Sequence, residues 1–198
     1  CGKVSFPKGT EPRAVTVRAF PTAEPPFPFL GEDVESKSDG SFCFDWIEPG
    51  KFMIGASETE PRRSNVRYVG YYPGVLPRSQ ATPIELKRGA GIVRADFALV
   101  RQPLFTVRGY LRGVPDSMVE ATQVFLMSDQ LDAFYYVEPP ALGPHGTFEV
   151  RDVPPGHYTA FAMRENDEEE STTFVSTVSA VEIRGNVEDL KLEFVPAR

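Results

Sequence analysis

The chain has 198 residues, a formal net charge of −7 and a hydrophobic content of 41%. This apolar content excludes global disorder, and 19 prolines with 16 glycines leave little room for long helices. The lysines and arginines are scattered, which disfavours a nucleic-acid partner, and every apolar run is far shorter than the roughly 20 residues that span a bilayer.

Alternation of apolar and polar residues predicts half-buried strands in both halves of the chain. It occurs over residues 14–20, 42–44, 93–99 and 190–194. Gly and Pro turns separate these short segments, a pattern that is typical of a β-sandwich. No segment has a convincing helical pattern, and we interpret the acidic run 165–171 as a solvated loop.

The stretch DGSFCFDWIEPGKF, which starts at Asp39 and ends at Phe52, combines two turns with an alternating segment. Its D-G and P-G dipeptides are turn signals, because Asp bonds its own backbone, Pro fixes φ and Gly accepts positive φ. Between the turns, Phe42 and Phe44 are predicted to face the core and Cys43 to face solvent. We expect the segments on either side of the P-G turn to pair as a hairpin.

The same order of turn and core residues occurs twice, so the chain contains an internal repeat of about 100 residues. The matching pairs include Gly2 and Gly109, Gly40 and Gly146, Phe42 and Phe148, Pro49 and Pro155, and Gly50 and Gly156. At the last strand the alignment pairs Phe97 with Phe194. The first copy carries a longer insert, between about residues 57 and 83. We therefore expect two tandem sandwiches, over residues 1–102 and 103–198.

The combination of G-x-V with D-G-x-F-x-F-x-x-I-x-P-G-x-F resembles the carboxypeptidase regulatory-like domains and the related Cna B-type repeats. The matching residues of the first copy are Gly2, Val4, Asp39, Gly40, Phe42, Phe44, Ile47, Pro49, Gly50 and Phe52. Those of the second copy are Gly109, Leu111, Gly146, Phe148, Val150, Val153, Pro155, Gly156 and Tyr158. The resemblance covers nearly the whole chain and implies two transthyretin-like sandwiches of about seven strands each. These are turn and core residues, so they identify a fold rather than a site.

The resemblance also carries an expectation about function. The family is non-catalytic, and its members accompany catalytic, transport or adhesive domains in exported proteins. It therefore implies a structural or interaction module of a larger exported bacterial protein, located in the periplasm, at the cell surface or outside the cell. Its partners would be other domains of the same protein or a separate protein. Because the fold is grouped with carbohydrate-binding-like folds, a carbohydrate-binding module is the alternative.

We predict no catalytic residue, no cofactor and no metal site. The histidines, His145 and His157, have neither metal-ligand spacing nor a motif that would supply a nucleophile. The acidic run lacks the alternating order of a calcium loop. Some Cna B-type domains carry an isopeptide bond promoted by a buried acid. The corresponding positions here are Ala56 and Ala162, so we do not expect this bond.

Aromatic residues in turns and inserts are the candidate contacts with a ligand or partner. They are Trp46, Tyr68, Tyr71, Tyr72, Tyr135 and Tyr136. Trp46 stands where the second copy has Asp152, so the scaffold does not require it. Exposed rings stack on sugar faces or anchor a protein partner, whereas packing against the edge of the sandwich or against the other domain is the competing interpretation.

The two cysteines, Cys1 and Cys43, leave three alternatives open. They form a disulfide with each other, or Cys1 is a lipidated terminal residue, or Cys1 marks the point where a longer chain was cut. Two cysteines are too few for a disulfide framework or for a four-cysteine zinc site.

Overall fold

The computed structural model describes residues 1–22, 32–58, 65–89, 91–128, 139–166 and 171–195, and the structural statements below concern these residues. Within them the chain is all-β, with sixteen strands and three short 3-10 turns, which confirms the predicted fold class. The strands fall into two compact units, unit 1 up to Gln102 and unit 2 from Pro103. That the two units are independently folding domains stays a prediction.

Unit 1 is built from two sheets. Its strands are β1 Gly2–Ser5, β2 Thr16–Pro21, β3 Glu32–Glu35, β4 Ser41–Phe42, β5 Gly50–Ser57, β6 Val66–Tyr71, β7 Ile84–Leu86, β8 Phe97–Ala98 and β9 Val100–Pro103. One sheet has the order β4-β1-β8, and the other has the order β3-β2-β5-β6-β9 with β7 beside β5. The core lies between the sheets, because Val4 and Phe97 from the first pack in one buried cluster with Val17 and Ile54 from the second.

Unit 2 repeats this arrangement. Its strands are β10 Phe105–Arg112, β11 Thr122–Ser128, β12 Thr147–Val153, β13 Gly156–Asn166, β14 Ser171–Phe174, β15 Ser179–Ile183 and β16 Val187–Glu193. The sheets have the orders β12-β10-β16 and β11-β13-β14, with β15 beside β13. Strand for strand, these correspond to β4-β1-β8 and β2-β5-β6 with β7 beside β5, so the predicted repeat is present in the topology.

The strand registers also match between the units. Three equivalent pairings are Gly2 with Phe42 and Gly109 with Phe148, Val17 with Ala56 and Val124 with Ala162, and Gly50 with Leu86 and Gly156 with Ile183. The pairings of β8 and β16 correct the sequence alignment. Val4 pairs with Phe97, whereas its equivalent Leu111 pairs with Leu192. Phe97 therefore corresponds to Leu192, two residues before Phe194 and on the same face of the strand.

Burial follows the predicted alternation. In the 14–20 segment, Val15, Val17 and Ala19 are fully buried, and in the 93–99 segment Ala95 and Phe97 are buried. Leu190 and Leu192 are buried in the same way in unit 2, and Phe194 packs partly buried against that core. Each unit thus has its own apolar core, which supplies the main favourable term for folding.

The predicted hairpin across the P-G turn is wrong. β4, before the turn, pairs with β1, whereas β5, after it, pairs with β2, β6 and β7. Phe42 and Phe52 both reach the core of unit 1, but they reach it from opposite sheets. Alternation and turn chemistry are the same for a hairpin and for a connection between two sheets, so the sequence pattern could not distinguish them.

Candidate functional site

The predicted aromatic contacts lie in very different environments. Trp46 is 84% exposed in the connection between β4 and β5. Tyr71 is only 2% exposed, and Tyr68 and Tyr72 are partly buried against the unit 1 core. The remaining two candidates, Tyr135 and Tyr136, lie outside the described residues. Among the predicted residues that the structure describes, Trp46 alone presents an open ring.

Tyr71 is buried because the insert of unit 1 folds over the outer face of a sheet. Its ring lies 6.3 Å from that of Phe20, between centroids, in a small apolar cluster that Val75 and Ala81 cover. The guanidinium of Arg78 stacks 4.7 Å above the Phe20 ring. This part of the insert closes the β2-β5 face, and we do not propose a ligand contact for Tyr71.

Tyr68 is held by neighbours within unit 1. Its ring packs edge-on against Phe6, with centroids 5.6 Å apart, and the Arg13 guanidinium lies 5.2 Å from its centroid. The hydroxyl of Thr10 donates a hydrogen bond of 3.3 Å to the Tyr68 hydroxyl. These contacts are those of a ring that packs at the edge of the sandwich, the competing interpretation for the aromatic set.

The structure places an open apolar cleft at one end of unit 1. It has a volume of about 520 Å³, within the range of small-molecule and peptide sites. Its apolar wall includes Phe42, Phe44, Ile47, Phe52 and Ile92. The wall thus combines core side chains of both sheets with side chains at the rim, and Ile92 is 79% exposed.

A disulfide between Cys1 and Cys43 lies in the wall of this cleft. Cys43 is exposed, as the alternation with Phe42 and Phe44 predicts. The bond connects β1 to the end of β4, one position beyond the Gly2–Phe42 pair. Of the three alternatives left open for the cysteines, the structure contains the disulfide.

Unit 2 has an ion pair where unit 1 has the disulfide. Arg108 and Glu149 are cross-strand partners one position beyond the Gly109–Phe148 pair, and Arg108 Nε donates a 2.6 Å hydrogen bond to Glu149 Oε2. This hydrogen bond is the main cause that lowers the pKa of Glu149, and Arg151 lowers it further. The same point of the scaffold is therefore tied covalently in one unit and electrostatically in the other.

In unit 2, β10 continues to Phe105, and Val107 pairs on one side with Val150 of β12 and on the other with Val187 of β16. Val107 is fully buried in the core, and Phe105 pairs with Val153 and packs against that core. Two apolar side chains of the central strand thus fill this end of unit 2.

The cleft of unit 1 occupies the corresponding place. Two cleft residues, Phe44 and Ile47, are the counterparts of Val150 and Val153 in the repeat. Ile92 is the counterpart of Val187, because Ala95 lies against Gly2 as Leu190 lies against Gly109. Equivalent apolar residues therefore lie at this end of both units, but Val187 is half-buried whereas Ile92 is exposed.

The charged side chains that line the cleft are both cations, Lys87 and Arg88, and both are exposed. They follow β7 directly. In a chain with a net charge of −7, this rim is locally positive, which favours an acidic group on whatever binds there.

Sequence reasoning did not find the cleft. The alternation pattern placed Phe44 and Ile47 in the fold motif, and Ile92 belonged to no motif. A usable signal was the adjacent pair Ile92-Val93, where two large apolar residues in succession break the alternation of the following strand.

Two further observations concern the described part of the chain. It contains no group of three His, Cys, Asp or Glu side chains arranged to hold a metal ion. No helix within it is both long enough and apolar enough to cross a membrane.

No protein-family model and no curated protein matches the chain. Among solved structures, it is similar to the minor pilin GBS52 of Streptococcus agalactiae, with 10% identity, a TM-score of 0.39, and coverage of 100% of this chain and 97% of the pilin. It is also similar to the fimbrial anchor protein Mfa2 of Porphyromonas gingivalis, with 9% identity, a TM-score of 0.32, and coverage of 92% and 97%. It is similar as well to the Bacillus anthracis TIE protein, with 15% identity, a TM-score of 0.34, and coverage of 98% of this chain and 33% of the TIE protein. Likenesses at this level do not assign a function to the chain.

Proposed function

We propose that the chain is a non-catalytic interaction module and that the cleft of unit 1 is its contact surface. The observation that carries this proposal is the lining of the cleft, where apolar side chains of both sheets and the exposed Ile92 lie beside two cations, Lys87 and Arg88. Apolar surface that is exposed to water is unfavourable, and a partner that buries it gains free energy. The exposed Ile92 at its rim is the side chain from which a partner would remove the most apolar surface.

We further propose that the two units are tandem domains of the carboxypeptidase regulatory-like or Cna B-type, with transthyretin-like topology, over residues 1–102 and 103–198. The repeated strand order and the repeated register support this assignment. The proposal includes membership of a larger exported bacterial protein, whose other domains or a separate protein would supply the partner.

The disulfide supports an extracytoplasmic location. Disulfides persist in the periplasm, at cell surfaces and in secreted proteins, whereas reducing systems keep most cytosolic thiols free. Cys1 and Cys43 are the two cysteines of the chain and they bond to each other, so no free thiol is left over.

A photo-crosslinking amino acid at Ile92 tests the contact surface. We expect protein adducts when the label replaces Ile92 and the chain is irradiated in extracts of its source cells. The matched control carries the label at Val178 of unit 2, an apolar residue with 63% exposure. Adducts of equal yield at both positions, or none at Ile92, would sink the proposed surface.

A carbohydrate-binding module is the second candidate, and the exposed indole of Trp46 favours it. Because this is the only Trp of the chain, its fluorescence reports directly on a sugar stacked against it. If this function is correct, a glycan screen yields a ligand that shifts the emission, and Trp46→Ala weakens its binding at least about tenfold. If no glycan shifts the emission, or if Trp46→Ala binds as tightly as the parent chain, this candidate fails.

A further inference from the structure

We propose that Cys43 is a site of thiol–disulfide exchange, at which a thiolate from outside the chain attacks Sγ of Cys43 and displaces Cys1. This reactivity is independent of what the cleft of unit 1 contacts, and it goes beyond the proposed function. A disulfide takes part in exchange when one of its sulfurs is accessible. Three features of unit 1 indicate such a disulfide: the exposure of Cys43, an open approach to it, and a core that packs without the sulfurs.

The two cysteines differ in exposure. Cys43 is exposed, whereas Cys1 is half-buried. The alternation of the segment explains the exposure, because Phe42 and Phe44 on either side of Cys43 pack against the core and leave Cys43 on the outer face. Cys1 is held by its neighbours, since its carbonyl oxygen accepts a 3.0 Å hydrogen bond from the Ala95 nitrogen. An incoming thiolate therefore reaches Cys43 more readily than Cys1.

The approach to Cys43 is open on the side that exchange requires. A thiolate attacks a disulfide along the line of the sulfur–sulfur bond, from the side opposite the leaving sulfur. The leaving sulfur belongs to Cys1, on the β1 side of Cys43, so the attack comes from the far side of β4. β4 is the outer strand of the order β4-β1-β8, and no other strand in the described part of the chain pairs with that side.

The core of unit 1 packs without the sulfurs. Neither cysteine belongs to the apolar cluster between the two sheets, so the bond lies outside the volume that the core side chains fill. Unit 2 supports the same conclusion, since Arg108 and Glu149 stand at the equivalent positions and form an ion pair. The repeat therefore has a non-covalent contact at this point, and the disulfide of unit 1 is an addition to the scaffold.

The exchange proceeds in one step with a monothiol and in two with a dithiol. In the first step the incoming thiolate bonds to Cys43 Sγ, the Cys1–Cys43 bond breaks, and its electron pair leaves on Cys1 Sγ as a thiolate. A monothiol stops at this mixed disulfide. The second thiolate of a dithiol attacks the first sulfur of the same dithiol and releases Cys43. Two electrons and two protons then pass from the dithiol to the cysteine pair, and unit 1 loses its covalent tie.

The experiment exposes the intact, folded chain to a limiting amount of reduced glutathione. Alkylation with iodoacetamide stops the reaction at early times, and trypsin then separates the cysteines onto peptides 1–3 and 38–51 for mass spectrometry. We expect glutathione on Cys43 and the alkyl group on Cys1, in an excess of at least about tenfold over the reverse. In denaturant the fold protects neither sulfur and the excess should disappear. An equal distribution in the folded chain overturns the proposal, as does exchange that occurs only in denaturant.

Two single variants provide a matched pair. Cys1→Ser leaves Cys43 as a free thiol, and Cys43→Ser leaves Cys1, so both lose the same bond and differ only in which sulfur remains. With oxidised glutathione, the thiol of Cys43 should form its mixed disulfide at least about tenfold faster than that of Cys1. Equal rates, or a faster reaction of Cys1, overturn the assignment of Cys43 as the accessible sulfur.

A last measurement distinguishes the source of the thiolate. The probe is thioredoxin in which serine replaces the second cysteine of the C-x-x-C motif, so that a mixed disulfide formed with the parent chain is trapped. Capture that is faster than with glutathione, at equal thiolate concentration, supports exchange with a protein dithiol, and equal rates support exchange with small thiols. Capture of the probe on Cys1 instead of Cys43 contradicts the proposal.

Discussion

Reduction of the Cys1–Cys43 disulfide is expected to lower the free energy of unfolding of unit 1 by about 4 kcal/mol. The bond closes a loop with a sequence separation of 42 residues, and chain-entropy arguments give that magnitude for such a loop. Single domains are stable by only about 5–15 kcal/mol, so the loss would remove a large part of the stability of unit 1. Unit 2 has no cysteine and should be unaffected.

Denaturant unfolding with and without a thiol reductant measures this effect. The control is the double variant Cys1→Ser with Cys43→Ser, which should unfold as the reduced parent does and should not respond to the reductant. Far-ultraviolet circular dichroism follows both units, and only the transition of unit 1 should move with the reductant. A reductant that shifts no transition contradicts the prediction, and one that shifts both units equally contradicts their independence as domains.

The repeated scaffold could be predicted because its residues are required by backbone geometry. Gly40 has positive φ and Gly2 lies against the carbonyl of Ala95, and the equivalent glycines of unit 2 have equivalent neighbours. Phe42 and Phe148 then follow at the same register and reach the core. Such residues repeat because each allows a conformation or fills a volume that other residues cannot, and these residues can be read directly from the sequence.

The pairing of strands was less predictable, since a period of two specifies a face and not a neighbour. Shifting a strand by two residues keeps every side chain on its face, which is why Phe194 seemed equivalent to Phe97 when the true counterpart is Leu192. The same ambiguity produced the hairpin across the P-G turn. The packing of the whole sandwich determines which strands pair, and no local sequence pattern specifies it.

The candidate site was only partly predictable. Trp46 and Cys43 differ from their counterparts in the repeat, and both lie on the surface, which the alternation had predicted for Cys43. Tyr71 also lies in a part of the chain that does not repeat, yet the insert buries it against Phe20. The cleft is lined by side chains from distant parts of the sequence, such as Phe44 and Ile92, so only the folded chain reveals it.

Gly40→Ala is expected to destabilise unit 1 by at least about 3 kcal/mol, in the upper part of the range for single substitutions. Two effects add. Gly40 has φ of +84°, a conformation that costs an L-residue about 1–2 kcal/mol. A Cβ atom there would also overlap the carbonyl oxygen of Val4, at the point where the Val4 nitrogen donates a 2.8 Å hydrogen bond to the Gly40 carbonyl.

The matched control is Gly9→Ala, which separates the two effects. Gly9 has nearly the same backbone, with φ of +87°, but a Cβ atom there would meet nothing within 4 Å. Its substitution should cost only the conformational part, about 1 kcal/mol. The difference between the two variants in denaturant unfolding therefore measures the contact of the turn with β1. If Gly40→Ala were no more destabilising than Gly9→Ala, the turn would not pack on β1 as described, and the repeated glycine would owe its place to φ alone.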